Sequence, residues 1–168
     1  MLIDGKRLNE ALSGSKPLRV LNAFDEILRA LQFAHRKRVV HRDLKPSNVL
    51  IRAADKQPII LDFGCAFFLD EIDPTLTTQF IGTPGYIPPE VYENPQHRDV
   101  RQDVYACGVM LYEAIMGQRP KGGRYRPVEE TFDGYEGIDA IIQAAIAPVD
   151  DRTPTAQAMR MELKELAK

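Results

Sequence analysis

The sequence predicts a mainly α fold of the α+β type, with about six helices and one small β-hairpin. Leucine and other apolar side chains recur at three- and four-residue steps from Leu18 to about His35, which is typical of an amphipathic helix. The segment 103–117 is apolar on nearly all sides and therefore predicts a helix buried at the centre of the domain. Two β-branched runs at 48–51 and 58–61, separated by a short polar stretch, predict the hairpin.

Shorter patterns predict the other elements. Residues 8–14 and 137–146 each have the composition of a helix, and the valine pair 39–40 predicts a short extended stretch. Residues 153–166 predict a final helix with Thr153 as its N-cap, because a proline follows at the first helical position. With 168 residues, the chain is long enough for one domain with a substantial core.

The segment 62–90 predicts a long irregular loop. Glycines and prolines interrupt it at seven positions, and no helical or strand period continues through it. Loops of this length inside a compact domain are uncommon and are usually functional.

Composition excludes several classes of function. A net charge of −2 gives no general attraction to nucleic acid or to an anionic membrane surface. No apolar run is long enough to cross a bilayer, so we expect no membrane segment. The two cysteines, Cys65 and Cys107, form neither a disulfide framework nor a metal-ligand spacing, which favours a reducing, cytoplasmic location.

A group of polar residues flanks the predicted hairpin. Asn48 precedes its first strand and Asp62 follows its second, while Asp43 and Lys45 lie in the loop that enters the same end. Carboxylate and amide oxygens are ligands that Mg²⁺ prefers, and a lysine neutralises phosphoryl charge. Because phosphoryl transfer depends mainly on positioning and charge stabilisation, we expect this chemistry at the end of the hairpin.

The motifs resemble those of eukaryotic-type (Hanks-type) serine/threonine protein kinases over nearly the whole chain. "HRDLKPSN" at 41–48 and "DFG" at 62–64 are similar to the catalytic loop and the magnesium-binding motif of that family. "GTPGYIPPE" at 82–90 resembles the end of its activation segment, which would comprise 62–90. "DVYACG" resembles the start of its central buried helix, and "DDRTPTA" resembles its late arginine motif.

The resemblance implies roles for the polar group. Asp43 would be the catalytic base, and Lys45 would contact the γ-phosphate of ATP. Asn48 and Asp62 would hold Mg²⁺, and Thr83 would support the catalytic loop. A lysine two positions after the catalytic aspartate is similar to serine/threonine kinases, so the implied substrate is a protein.

The resemblance also implies nucleotide, structural and regulatory residues. Met1 and Ile3 would meet adenine through the backbone, and Leu50 would form the floor beneath it. A further set would brace the site: His41, Phe63, Gly64, Glu90, Asp103 and Arg152. Arg42 would complete the catalytic set and is typical of kinases whose loop is ordered by phosphorylation, for which Thr75 and Thr77 are the candidates. The alternative, that both threonines are unmodified polar loop residues, stays open.

No Gly-x-Gly-x-x-Gly loop and no Val-Ala-Ile-Lys strand occurs in the sequence. We therefore expect residues 1–168 to correspond to the carboxy-terminal lobe alone, with 1–6 as the remnant of the hinge. We expect the isolated lobe to have weak activity or none. The missing amino-terminal lobe, a second chain or a swapped copy would cover the bound nucleotide.

Alternatives to an active kinase lobe stay open. One alternative is a non-catalytic, kinase-like interaction module, and the other is half of a split kinase. For Glu113, in the central helix, two interpretations also stay open: contact with a basic substrate residue, and a structural ion pair.

Overall fold

The computed structural model describes residues 3–69, 82–120 and 125–167. Over these ranges the fold is mainly α, which confirms the predicted class. The described residues form six α-helices: α1 (Leu8–Leu12), α2 (Pro17–Arg36), α3 (Pro89–Glu93), α4 (Arg101–Met116), α5 (Ile138–Ile146) and α6 (Ala156–Leu166). None of the helices in these ranges combines the length and apolar character needed to cross a membrane.

Five short strands form two antiparallel sheets. The strands are β1 (Gly5–Arg7), β2 (Val39–Val40), β3 (Val49–Arg52), β4 (Pro58–Ile60) and β5 (Phe67–Phe68). In the larger sheet β3 lies between β1 and β4, and the predicted hairpin is the β3–β4 pair with Val49 opposite Ile60. β1, at the predicted hinge remnant, pairs along β3. The small β2–β5 sheet places the chain just after "DFG" beside the residues that precede the catalytic loop.

The core lies between α4 and the helices around it. Phe24 and Leu28 of α2, Met110 of α4, Ile142 of α5 and Met159 of α6 are all 0% exposed. α4 is buried along most of its length because its sequence is apolar on nearly all sides. The amphipathic α2 instead buries a single face. A rigid central helix of this kind fixes the loops that meet its amino-terminal end.

Two local predictions are wrong. Segment 62–90 contains regular structure within its described residues: a single 3₁₀ turn at Phe63–Cys65, then β5, then α3. β5 exists because it pairs with distant β2, which no local pattern reveals. The N-cap of α6 is Thr155, whose hydroxyl accepts from the Ala158 N–H at 3.0 Å. Thr153 is instead buried, and its own N–H donates to the Ala144 carbonyl at 3.1 Å.

A buried ion pair joins α3 to the loop before α6. The Arg152 guanidinium donates to both carboxylate oxygens of Glu90, at 2.6 and 3.0 Å. The Arg152 side chain is 0% exposed, and its guanidinium carbon lies 4.9 Å from the centroid of the Tyr105 ring. Burial alone would raise the pKa of Glu90, but the hydrogen bonds from Arg152 hold that pKa below its ordinary value.

Replacing Glu90 with Gln is expected to lower the free energy of unfolding by about 3–5 kcal/mol, because the buried Arg152 charge loses its partner. Urea denaturation with an unchanged slope measures the loss. The control is Glu10→Gln, which breaks the exposed Lys6–Glu10 pair and should cost less than about 1 kcal/mol. Equal losses in the two variants would contradict the assignment.

The same pair gives a pH dependence with a definite sign. Since the folded-state pKa of Glu90 lies below its ordinary value of 4.5, the contribution of the pair is complete above that pH. It is lost as the pH falls through the folded-state pKa. The stability of Glu90→Gln should therefore fall less steeply below this pH than that of the parent protein.

Candidate active site

The hairpin brings Asn48 and Asp62 to the same end of the sheet. The Leu61 N–H donates to the Asn48 carbonyl at 2.8 Å, which extends the β3–β4 ladder by one pair and sets Asp62 directly after it. Asp62 has left-handed backbone angles (φ 56°, ψ 72°), and its Oδ1 accepts from the Gly64 N–H at 3.2 Å. A β-carbon on residue 64 would lie 3.0 Å from that oxygen, so glycine leaves room for the turn.

Three side chains form a closed triangle of hydrogen bonds. The Lys45 ammonium donates to Asp43 Oδ2 and to Thr83 Oγ1, at 2.7 Å in each case. The Thr83 hydroxyl donates to Asp43 Oδ1 at 2.6 Å. Thr83 is forty residues from Asp43 in the sequence, so this triangle joins the second half of segment 62–90 to the loop at 41–48.

The Asn48 amide is oriented by Asp43. Its Nδ2 donates to the Asp43 carbonyl at 2.9 Å and to the carboxylate Oδ2 at 3.2 Å. Because the nitrogen is used in these bonds, the amide oxygen is the atom left for a ligand. Asn48 is itself buried (7% exposed), which holds that oxygen in one place.

The hydrogen bonds keep Asp43 ionised. Burial alone would raise the pKa of Asp43, but hydrogen bonds from Lys45, Thr83 and Asn48, together with the Lys45 charge, hold it below its ordinary value. A carboxylate that stays ionised at neutral pH and lies at a partly open site is able to accept a proton from a bound hydroxyl.

The backbone of the catalytic loop is anchored by the buried carboxylate of Asp103, in α4. Its Oδ2 accepts from the His41 N–H at 2.9 Å, and its Oδ1 accepts from the Arg42 N–H at 3.1 Å. His35, at the end of α2, also hydrogen-bonds to Oδ2 at 2.8 Å. Arg42 has a left-handed backbone (φ 67°), which a non-glycine residue adopts only when its surroundings hold it there.

His41 connects the two motifs. Its Nε2 hydrogen-bonds with the Leu61 carbonyl at 2.9 Å, and its ring meets Phe63 edge-on with centroids 4.7 Å apart. His41 is buried, whereas 45% of Phe63 is exposed. The residue before Asp62 and the residue after it are therefore both held against the catalytic loop.

Leu50, which is assigned to the floor beneath adenine, lies in β3. Leu50 alternates with Val49 and Ile51, which belong to the main core, so Leu50 faces the opposite side of the sheet. Ile3 is 41% exposed. Met1 lies outside the described residues, as do Thr75 and Thr77.

A second basic site lies beside the catalytic loop. The guanidinium groups of Arg42 and Arg98 lie 5.0 and 5.1 Å from the centroid of the Phe67 ring. Arg42 also donates to the Pro95 carbonyl at 3.1 Å, while its buried Nε has no hydrogen-bond partner. Burial lowers the pKa of Arg42, and the neighbouring charge of Arg98 lowers it further. Cationic groups around one ring make this part of the surface attractive to an anion.

The residues present fit a magnesium ion that is shared with a phosphate. Within the described ranges no three His, Cys, Asp or Glu side chains converge to enclose a metal. Asn48 instead offers one amide oxygen, and the exposed Asp62 offers a carboxylate. Mg²⁺ typically takes one or two protein carboxylates and fills its shell with water and substrate phosphates.

Comparison with known sequences identifies the family. The protein kinase domain family matches residues 2–168. The chain belongs to the protein kinase family. It is 42% identical over 128 residues to the serine/threonine-protein kinase PkaA of Streptomyces coelicolor, covering 73% of this chain and 23% of that protein. It is 33% identical over an alignment of 195 residues to the serine/threonine-protein kinase pkn3 of Myxococcus xanthus, covering 99% of this chain and 35% of that one.

A eukaryotic relative has similar identity. The inhibitor of nuclear factor kappa-B kinase subunit alpha of Xenopus tropicalis is 38% identical over 113 residues, covering 66% of this chain and 15% of that protein. The kinase chain thus spans between 15% and 35% of the length of these three relatives. Their names describe longer proteins.

Several contacts of the kinase site were beyond sequence reasoning. The hydrogen bond between His35 and Asp103 is one of them, because it joins α2 to α4. Glu113 forms no ion pair within the described chain; its partners are the neutral groups of Asn9 and Tyr86. Arg98 was not singled out, because its approach to Arg42 depends on tertiary packing alone.

Replacing Thr83 with Val should raise the pKa of Asp43 toward its ordinary value, since one hydrogen bond to the ionised form is lost. Carboxyl carbon NMR of Asp43 through an acid titration measures this change. Thr83→Ser keeps the hydroxyl and should leave the pKa low. An unchanged pKa in Thr83→Val would mean that the triangle does not hold the Asp43 charge.

Proposed function

We propose that this chain is the catalytic lobe of a serine/threonine protein kinase, which transfers the γ-phosphate of ATP to serine or threonine hydroxyls of protein substrates. The observation that carries the proposal is the triangle of Asp43, Lys45 and Thr83, with Asn48 bonded to the same carboxylate. The similarity to two bacterial serine/threonine-protein kinases supports the same substrate class.

Each side chain has a distinct task in the proposed reaction. Asp43 orients the substrate hydroxyl and accepts its proton; its lowered pKa keeps it ionised at neutral pH. Lys45, whose ammonium already bridges Asp43 and Thr83, meets the negative charge of the γ-phosphate. Asn48 and Asp62 hold Mg²⁺, which neutralises phosphate charge when it is bound.

The nucleotide would lie across the sheet. In this proposal Leu50 provides an apolar floor on the side away from the core, and the backbone of Met1 and Ile3 would meet adenine. We propose that the lobe that covers the phosphates is supplied by further sequence or by a partner chain. Free thiols at Cys65 and Cys107 suit a cytoplasmic location.

We also propose that Thr75 or Thr77 is phosphorylated, with Arg42 as the cation that receives the phosphate. The guanidinium groups of Arg42 and Arg98, which both lie about 5 Å from the Phe67 ring, support this, because arginines suit a dianionic phosphate. Arg42 is adjacent to Asp43, so an anion bound there would act directly on the catalytic loop.

The test is transfer of radiolabelled phosphate from ATP to a mixed protein substrate by the full-length protein. Asp43→Asn should lower the transfer rate by about 10²–10⁴, the usual contribution of a general base. Mass spectrometry after the same incubation should find phosphate on Thr75 or Thr77 in the parent and not in the variant.

The matched control is Asp133→Asn, which changes an exposed aspartate far from the triangle and should leave the rate unchanged. No transfer by the parent protein, or equal transfer by the parent and Asp43→Asn, would reject the catalytic proposal. That result would favour the alternative of a kinase-like interaction module.

A further inference from the structure

Arg119 covers the loop that begins at Thr83. It lies just beyond the end of α4, and its Nη1 donates to the Pro84 carbonyl at 2.6 Å. The guanidinium also lies 5.1 Å from the centroid of the Tyr86 ring. Because Pro84 directly follows Thr83, which hydrogen-bonds to Asp43, this cation lies on the surface beside the catalytic triangle.

Gly85 leaves the space that Arg119 occupies. A β-carbon at residue 85 would lie 1.8 Å from Arg119 Nη1, which no packed structure allows. The backbone of Gly85 is also left-handed (φ +93°), a conformation that favours glycine. Glycine at position 85 thus leaves room for the positive charge of Arg119, which the side chain of any other residue would displace.

Among the residues that the structure describes, no acidic group neutralises the charge of Arg119. Its side chain is exposed, and its contacts in the described chain are a carbonyl and an aromatic ring, with no carboxylate at ion-pair distance. Residues 117–127 contain four basic residues and no acidic residue. The exposed guanidinium of Arg119 is therefore available to an anionic ligand.

The acidic group nearest in this network is already used. Glu113 Oε1 accepts from Asn9 Nδ2 at 3.0 Å, and its Oε2 accepts from the Tyr86 hydroxyl. Burial and the bond to Glu113 raise the pKa of Tyr86, so the phenol stays a donor at all ordinary pH values. Glu113 is thus held in place by two neutral donors of the fold.

These groups surround a depression of about 520 Å³. Its lining residues are Pro84, Gly85, Glu113, Gln118, Arg119 and Pro120. Among them Arg119 is the exposed charged residue, whereas Glu113 is half-buried and hydrogen-bonded to Asn9 and Tyr86. The depression has room for one substrate side chain.

We propose that Arg119 is a specificity-determining residue that selects protein substrates with an acidic side chain near the phosphorylated serine or threonine. The inference rests on the proposed kinase function and adds the chemistry of the substrate to it. An aspartate, a glutamate or a phosphorylated residue all present the anion that this guanidinium is able to bind.

The experiment uses the full-length protein and otherwise neutral peptides with one serine. Glu, Gln or Lys is placed in turn at each of four positions on either side of that serine. Both kcat/KM for phosphate transfer and the Kd from fluorescence anisotropy are measured. At one position Glu should be preferred over Lys about fivefold or more, and added salt should weaken the preference.

Variants separate charge recognition from loop support. Arg119→Ala should bring the Glu-to-Lys ratio near one, Arg119→Glu should invert it, and Arg119→Lys should retain most of it. Arg19→Ala removes another exposed arginine, on α2, and should change nothing. A merely structural role would lower kcat/KM for all peptides equally. A Glu-to-Lys ratio that is unchanged in Arg119→Ala therefore overturns the inference.

The two proposals fail in different ways. Transfer without a preference for Glu, or with a preference independent of Arg119, rejects the inference and keeps the kinase function. Absence of transfer with Arg119-dependent binding of the Glu peptide rejects catalysis and keeps acidic recognition. Neither transfer nor Arg119-dependent binding overturns both.

Discussion

The buried carboxylate of Asp103 is the interaction on which the rest of the site depends. It lies in the central helix and accepts the consecutive N–H groups of His41 and Arg42, so the loop at 41–48 is attached to a helix that is buried along most of its length. The left-handed backbone at Arg42 costs free energy that these bonds offset. With Arg42 held in this way, Asp43 projects from a fixed point rather than from a free loop.

A second layer of contacts joins this fixed loop to the chain after residue 81. Thr83 closes the triangle with Asp43 and Lys45, and Arg119 binds the very next carbonyl, that of Pro84. In the proposed function, Asp43 orients the acceptor hydroxyl and Arg119 selects the substrate. The structure holds these two side chains through adjacent residues, Thr83 and Pro84.

Much of the site was predictable because a hairpin is a local structure. Asn48 and Asp62 flank two strands whose pairing is evident from β-branched runs, and their convergence follows from it. The contacts of Arg119 and of Arg98 were not predictable, since each joins segments about thirty residues apart through tertiary packing. The cap of α6 was misplaced by two residues because Thr153 is held by a carbonyl of α5, which a local rule does not include.

Amide hydrogen exchange at His41 and Arg42 tests the central role of Asp103 most directly. In Asp103→Asn a neutral amide replaces the carboxylate that receives both N–H groups, so these two amides should exchange at least about tenfold faster relative to those of α2. If exchange at 41 and 42 rises only in proportion to that of α2, the loss is a general one of stability. Asp103 would then not be the anchor of the catalytic loop.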